Sequence, residues 1–391
     1  MSAPQSESGK VGRDLVAARI ARLRAELAAA PFDAVLLTSP EAVDYATGYR
    51  SVAGQLHRGP GVMALVQAER TVLVAPAADT APAIEAGVSA DDVVPYGRFY
   101  FAGNGPATAM SDRHASQAEA LRVALDLAGP GELAVEGSAL APVASEVADG
   151  PVQDADSWML GVRAVKLPGE QDLLRRAAEL AEDGIEAALA IAKPGITERE
   201  LATAVATAMV SGGGVPRFVV VTAGARSPLA DAFPSGNACQ PGDLLRFDVG
   251  CQLEGYWSDI ARTAVIGEPT DLQQRRYDAL LAGVEEEFAV ARPGSTAGEV
   301  FDTAVRRVED AGLRPYHRHH AGHAIGLSVY EAPVVRPNDM TVLASGMVFC
   351  LETPYYELGW GGMMVEDTGL VTDSGFELFT SIDRSLRVVA A

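Results

Sequence analysis

Six histidines serve a chain of 391 residues, and four of them, His317, His319, His320 and His323, fall within seven positions. A sparse residue type gathered this tightly points to chemistry. Upstream, Asp248 and Asp259 stand on two β-rich arms around Leu253-Glu254-Gly255, which read as a hairpin. A turn centred between residues 253 and 254 places the two aspartates opposite each other, with Cβ atoms roughly 4.5–5.5 Å apart. Facing carboxylates repel unless a proton or cations lie between them. Two divalent ions roughly 3.5–4 Å apart fit such a gap. Downstream, His323 lies between Gly322 and Gly326, where the backbone can turn tightly. Glu352 ends a strand-like stretch at 347–352, and Glu366 lies in another at 363–372. The Gly-rich bend at 359–362 joins them into a second hairpin that brings both glutamates together. Four carboxylates and one imidazole form an oxygen-rich donor set suited to manganese, iron, cobalt or zinc rather than to a thiolate-loving metal. Taken singly, an acid near a turn is usually a solvated surface group and a lone histidine usually structural. The five together carry the signal.

These residues need a scaffold, and the chain is long enough for two domains with a core each. Hydrophobic residues make up 48% and charged ones 21%, the composition of a folded protein. With 31 basic against 52 acidic residues the net charge is −21, so a nucleic-acid backbone would be repelled. No apolar run approaches the roughly 20 residues that span a bilayer. The polar start MSAPQSESGK lacks a signal core, and the three cysteines are too few for a disulfide framework. The expectation is a cytoplasmic enzyme or binding protein without membrane or nucleic-acid partners.

Along the chain, the first dozen residues read as a loose tail and apolar spacing predicts a helix over 14–30. Strands follow at 33–38, 61–67, 71–75 and 132–135, with a helix at 114–127. This first part is mixed α/β and carries no phosphate-loop or dinucleotide fingerprint. The pattern changes near residue 158, giving expected domains 1–158 and 159–391. The second opens with a long helix over 169–192. Thr197-x-x-Glu200 and Thr296-x-x-Glu299 are capping boxes that open further helices, and 271–291 is amphipathic. Strand-like segments lie at 218–222, 244–252, 257–266, 347–353 and 363–372, so the second domain reads as α+β.

The order Asp248, Asp259, His323, Glu352, Glu366 resembles the five metal ligands of the pita-bread metalloenzymes, which include aminopeptidase P, prolidase and creatinase. The surrounding residues match too: Gly242-Asp-Leu-Leu-Arg-Phe-Asp248-Val-Gly250, Gly255-Tyr-Trp-Ser-Asp259-Ile-Ala-Arg-Thr263 and Gly322-His-Ala-Ile-Gly-Leu-Ser-Val-Tyr-Glu-Ala-Pro333. Residues 33–50 resemble the creatinase-like N-terminal domain, and Val165-Lys-Leu-Pro-Gly-Glu170 resembles the start of the catalytic domain. The resemblance implies a curved antiparallel sheet backed by helices, preceded by an α/β creatinase-like domain. It implies two divalent ions, most readily manganese, and a hydroxide held between them that attacks an amide carbonyl. It implies a homodimer whose partner subunit helps close the site. Glu352 would handle the proton, and His319, four residues before His323, would contact substrate and assist proton transfer.

Three positions depart from the prolyl peptidases, which carry histidine at positions 231 and 330 and arginine at 364. Here these are Asp231, Tyr330 and Met364. Such groups bind the substrate's carbonyl and carboxylate or organise the metal's surroundings. An aspartate at 231 would repel an anionic substrate end and attract a cationic one. Two enzymatic readings therefore stand together: a Xaa-Pro peptidase acting on short peptides, and a non-peptidase acting on a small nitrogenous metabolite, creatinase-like, ectoine-hydrolase-like or a lyase. A third is an inactive binding module, against which the intact ligand set argues. Among lesser signals, Cys350 shares a strand face with Glu352, and Arg50, His57 and Arg58 could reach a partner's site. Trp257, Tyr355, Tyr356 and Trp360 could wall a pocket, while His317 and His320 read as supporting or surface residues.

Overall fold

The structure is a computed structural model that describes residues 7–57, 61–100, 114–129, 131–137, 140–148 and 151–391. Two compact units divide between Arg163 and Ala164. The expected break at 158/159 falls inside the helix Asp156–Ala164, nearly all of which belongs to the first unit.

In the first unit the helix begins at Glu7 and runs to Leu27, where a loose tail was expected. Gly9 and Gly12 weaken the helical signal there, but no proline interrupts it. The hairpin Met63–Gln67 with Thr71–Pro76 is antiparallel, as its three-residue connection requires. It joins a six-stranded mixed sheet in the spatial order Val93–Tyr96, Thr71–Pro76, Met63–Gln67, Ala34–Leu37, Leu133–Glu136, Val152–Asp154. Arg50 lies here, 3.9 Å from Asp44. Arg58 and the side chain of His57 lie outside the described residues.

The second unit holds a curved, mainly antiparallel sheet. Its spatial order is Glu331–Val334, Gly322–Ala324, Val348–Glu352, Glu366–Thr372, Ile260–Ile266, Leu244–Leu253, Val215–Ala223. Alternation along each strand decides what it buries. Leu245, Phe247, Val249 and Cys251 pack against Ala181, Ile185, Leu201 and Val205 of helices Pro168–Ile191 and Glu198–Ser211. Phe349, Leu351 and Val371 pack against Leu280, Val284, Val300 and Ala304 of helices Asp271–Val290 and Ala297–Asp310. Each fully buried Val, Leu, Ile or Phe among them stabilises by roughly 1.5–3 kcal/mol. Both expected capping boxes form: Glu200 accepts from Thr197 N at 2.9 Å, and Glu299 from Thr296 N at 2.8 Å. Among the described residues no helix is long and apolar enough to cross a membrane.

Candidate metal centre

The alternation that buries the odd-numbered residues of Leu244–Leu253 and Val348–Glu352 turns Arg246, Asp248, Cys350 and Glu352 to the opposite face. Glu352 stands directly opposite Glu366, so the hairpin expected from the glycine bend does bring the two together. Glu366 in turn faces Ala261, and Ala261 faces Asp248, so one row crosses four strands. The next row holds His323 opposite Cys350, and Cys350 opposite Thr368.

The first hairpin differs from expectation by one step. Glu254 and Gly255 both take positive φ, 49° and 91°, which is the two-residue turn that suits strand twist. Leu253 therefore pairs with Tyr256, and Asp248 with Ala261 rather than Asp259. Asp259 occupies the break between Tyr256–Trp257 and Ile260–Ile266. It is two residues from Ala261 and so a diagonal neighbour of Asp248, close enough for the two charges to oppose each other.

His323 is almost fully buried. Its Nδ1 lies 3.1 Å from the Ala324 carbonyl, which can only accept, so the ring proton sits on Nδ1 and Nε2 faces Asp259 Oδ2 at 3.6 Å. Gly322 precedes it at φ 135°, where a Cβ would meet the Cys350 carbonyl at 2.3 Å. Ligand atoms of Asp259, His323, Cys350 and Glu366 all lie within 4.8 Å of one another. Asp259 Oδ1 and Glu366 Oε2 are buried without a hydrogen-bond partner among the described residues. Orphaned anionic oxygens are costly in a protein interior, and a divalent cation is the partner they fit.

The electrostatics agree. Burial, then Asp259, raises Asp248 to about 7. Burial also raises Asp259, and it raises Glu366 far above the carboxylate range with further pushes from Asp259 and Glu352. Glu352 goes the other way: burial pushes it up, but His320, Arg318 and His323 outweigh that and hold it low. His323 is depressed by burial yet ends raised, because Asp259 and Glu352 face it.

The remaining expected residues separate. His319 is exposed, its ring centroid 4.2 Å from that of His320, and burial together with His320 lowers its pKa. It is His320 that reaches the centre, with Nε2 2.7 Å from Glu352 Oε1. The resemblance singles out His319, and residue spacing cannot weigh it against His320, because a loop has no fixed side-chain period. Tyr330 is exposed, but its ring stacks on His323 with centroids 3.8 Å apart. Asp231 is exposed, and its charge contributes to raising Asp248. Met364 is buried, and its sulfur accepts the Tyr356 hydroxyl at 3.4 Å. Tyr356 lies between Arg246 and Arg318, whose guanidinium carbons are 5.1 and 6.0 Å from its ring centroid. Trp257 instead stacks on Phe218, and Tyr355 and Trp360 enclose Arg276.

Behind the sheet, Arg262 fixes the last glutamate. Its Nη1 donates to the Glu366 carbonyl at 2.6 Å, and its Nη2 pairs with Asp367 Oδ1 at 2.6 Å, both side chains fully buried.

A curved sheet that presents four carboxylates and one imidazole on one face defines a metalloprotein of the pita-bread class. The profile of metallopeptidase family M24 matches residues 172–373, and that of the creatinase/prolidase N-terminal domain matches 19–165. The chain belongs to metallopeptidase family M24, whose members depend on metal ions. It is 32% identical over 240 residues to a Xaa-Pro dipeptidase of Lactobacillus delbrueckii subsp. lactis, covering 61% of this chain and 65% of that one, less than two-thirds of its length. It is 33% identical over 233 residues to a Xaa-Pro dipeptidase of Pyrococcus furiosus, covering 59% and 67%. Among solved structures, a dipeptidase from Mycobacterium ulcerans superimposes with a TM-score of 0.80 at 28% identity, over 97% of this chain and 99% of that one. The prolidase of Pyrococcus horikoshii OT3 gives 0.79 at 26%, over 94% and 99%.

Proposed function

We propose that the chain is a dinuclear, manganese-dependent peptidase of the Xaa-Pro dipeptidase type, acting on short peptides. The observation that carries this reading is the pair of orphaned oxygens on Asp259 and Glu366 inside a row of acids, in a chain similar to named Xaa-Pro dipeptidases. Asp248, Asp259, His323, Glu352 and Glu366 would hold the ions. Bound there, divalent ions acidify water and polarise a scissile carbonyl.

The chain's own residues supply the proton traffic. Glu352, held ionised by His320 and Arg318, is ready to accept a proton at Oε1. His320, 2.7 Å from that oxygen, shares the proton and hands it on to the leaving nitrogen. Tyr330 covers the outer face of His323 and keeps bulk water from its ring. His319 stays neutral near pH 7 because its pKa is lowered, and it meets substrate at the exposed edge.

Asp231 favours a second reading. An exposed carboxylate stands close enough to Asp248 to raise it, while Met364 presents an apolar side chain. That combination suits a small substrate with a cationic nitrogen and gives no grip on a carboxylate. The family resemblance extends the proposal to a cytoplasmic homodimer.

The deciding experiment is hydrolysis of a panel by manganese- and cobalt-loaded protein: a Xaa-Pro dipeptide, a longer Xaa-Pro peptide, a non-prolyl dipeptide and creatine. Turnover of the Xaa-Pro dipeptide is expected. Silence on every prolyl substrate, with two ions per chain confirmed, would transfer the site to the second reading.

A further inference from the structure

Arg246 and Arg262 are the largest fully buried side chains among the described residues. Arg246 lies two residues before Asp248 on the same strand, so both point to the acidic face. Its planar fork works in two directions. Nε donates to the Ser227 carbonyl at 3.2 Å, and Nη2 donates to the carbonyls of Leu229 at 2.9 Å and Ala230 at 2.6 Å. Nη1 donates to Asp248 Oδ2 at 3.1 Å. The three carbonyls belong to one short stretch that ends immediately before Asp231. Ser227 is held from its other side as well, its hydroxyl accepting from Gly362 N at 2.8 Å. The Tyr356 ring covers the guanidinium.

A lysine would carry the same charge but could not reach three carbonyls and a carboxylate in one plane. The arrangement therefore does more than neutralise Asp248. We propose that Arg246 is a positioning residue that couples cation binding at Asp248 to the placement of the 227–231 loop, and so of Asp231 beside the substrate. The proposal rests on the metal-site reading above. A cation engaging Asp248 changes the pull on Nη1. Because the guanidinium is rigid and buried, it passes that change to Nε and Nη2 rather than absorbing it. Loading of the centre then tightens a loop that these bonds already hold in place.

Hydrogen exchange tests this on the full chain without needing a substrate. Wild type and Arg246→Lys are compared metal-stripped and with manganese. In wild type, manganese is expected to slow exchange in 228–237 by roughly tenfold, the effect of one strengthened charge-assisted hydrogen bond. In Arg246→Lys that response disappears, whereas manganese still protects 348–352 and 366–372. Equal loop responses in both proteins overturn the proposal. So does a wild-type loop indifferent to manganese, a result that needs no variant and stands even if Arg246→Lys fails to fold. Absence of protection at 348–352 and 366–372 in wild type would instead overturn the metal-site reading, and the proposal with it.

Discussion

Asp248→Asn in the metal-stripped protein should stabilise the fold at alkaline pH, although it removes an expected ligand. In the cation-free site burial, Asp259, Glu352 and Asp231 raise Asp248 to about 7 against the opposing pull of Arg246. From the ordinary 3.8 this is about 3 pH units, or about 4 kcal/mol at 1.36 kcal/mol each. A raised folded-state pKa means that the native protein holds the proton more tightly than the unfolded chain. The stabilising contribution is complete below pH 3.8, fades as pH rises and is gone above about 7. Asparagine keeps the shape and an oxygen for Arg246 but does not titrate. Urea unfolding of both proteins after chelator dialysis, at pH 4.5, 6 and 8, reads the difference. The variant should lead by only about 1 kcal/mol at pH 4.5 and by up to about 4 kcal/mol at pH 8. The gain is smaller where Asp259 takes up the shared proton. A variant no more stable than wild type at pH 8 would refute the reasoning.

Manganese should raise the wild-type melting temperature more at pH 8 than at pH 5.5, because protons on the raised carboxyls compete with the ion; an equal shift at both would contradict this. His320→Ala is expected to lower kcat on the best panel substrate by roughly 10²–10⁴, with His319→Ala costing less than about tenfold, and the reverse order would return the proton-handling role to His319. Asp367→Asn strands the buried Arg262 charge and should cost about 3–5 kcal/mol in urea unfolding; a loss below about 1 kcal/mol would show that the pair is not what anchors Glu366.

The sequence made the second hairpin legible because its bend is glycine-rich, which brings Glu352 and Glu366 together; their direct pairing is set by the register of the folded strands. The first hairpin slipped because Leu253-Glu254-Gly255 admits two turn centres. Only the positive φ of both Glu254 and Gly255 selects the later one. Cys350 was placed correctly on the face of Glu352 by strand alternation, but alternation gives no distances, so its nearness to His323 came only with the fold. The histidine run resisted for a related reason: which ring of a loop turns inward depends on the neighbours it packs against. Arg246 escaped notice altogether, since an arginine inside a strand reads as an edge or surface residue until its carbonyl partners are seen.

The acidic row is also a seam. Its two hairpins, far apart in the chain, share a single ladder pairing, Ala261 with Glu366, where the strands on either side share six and five. Side chains add stitches: Thr263 Oγ1 bridges Met364 N and O, Thr368 Oγ1 donates to the Asp259 carbonyl, and Arg262 donates to that of Glu366, while strand Ile260–Ile266 also pairs with Arg387–Val389 at three positions. Any cation drawing ligands from both hairpins would act as a rivet through this joint. Two fragments cut in the 267–270 connection would then hold together more tightly with metal than without it, on top of the ladder that Ile260–Ile266 makes with Arg387–Val389.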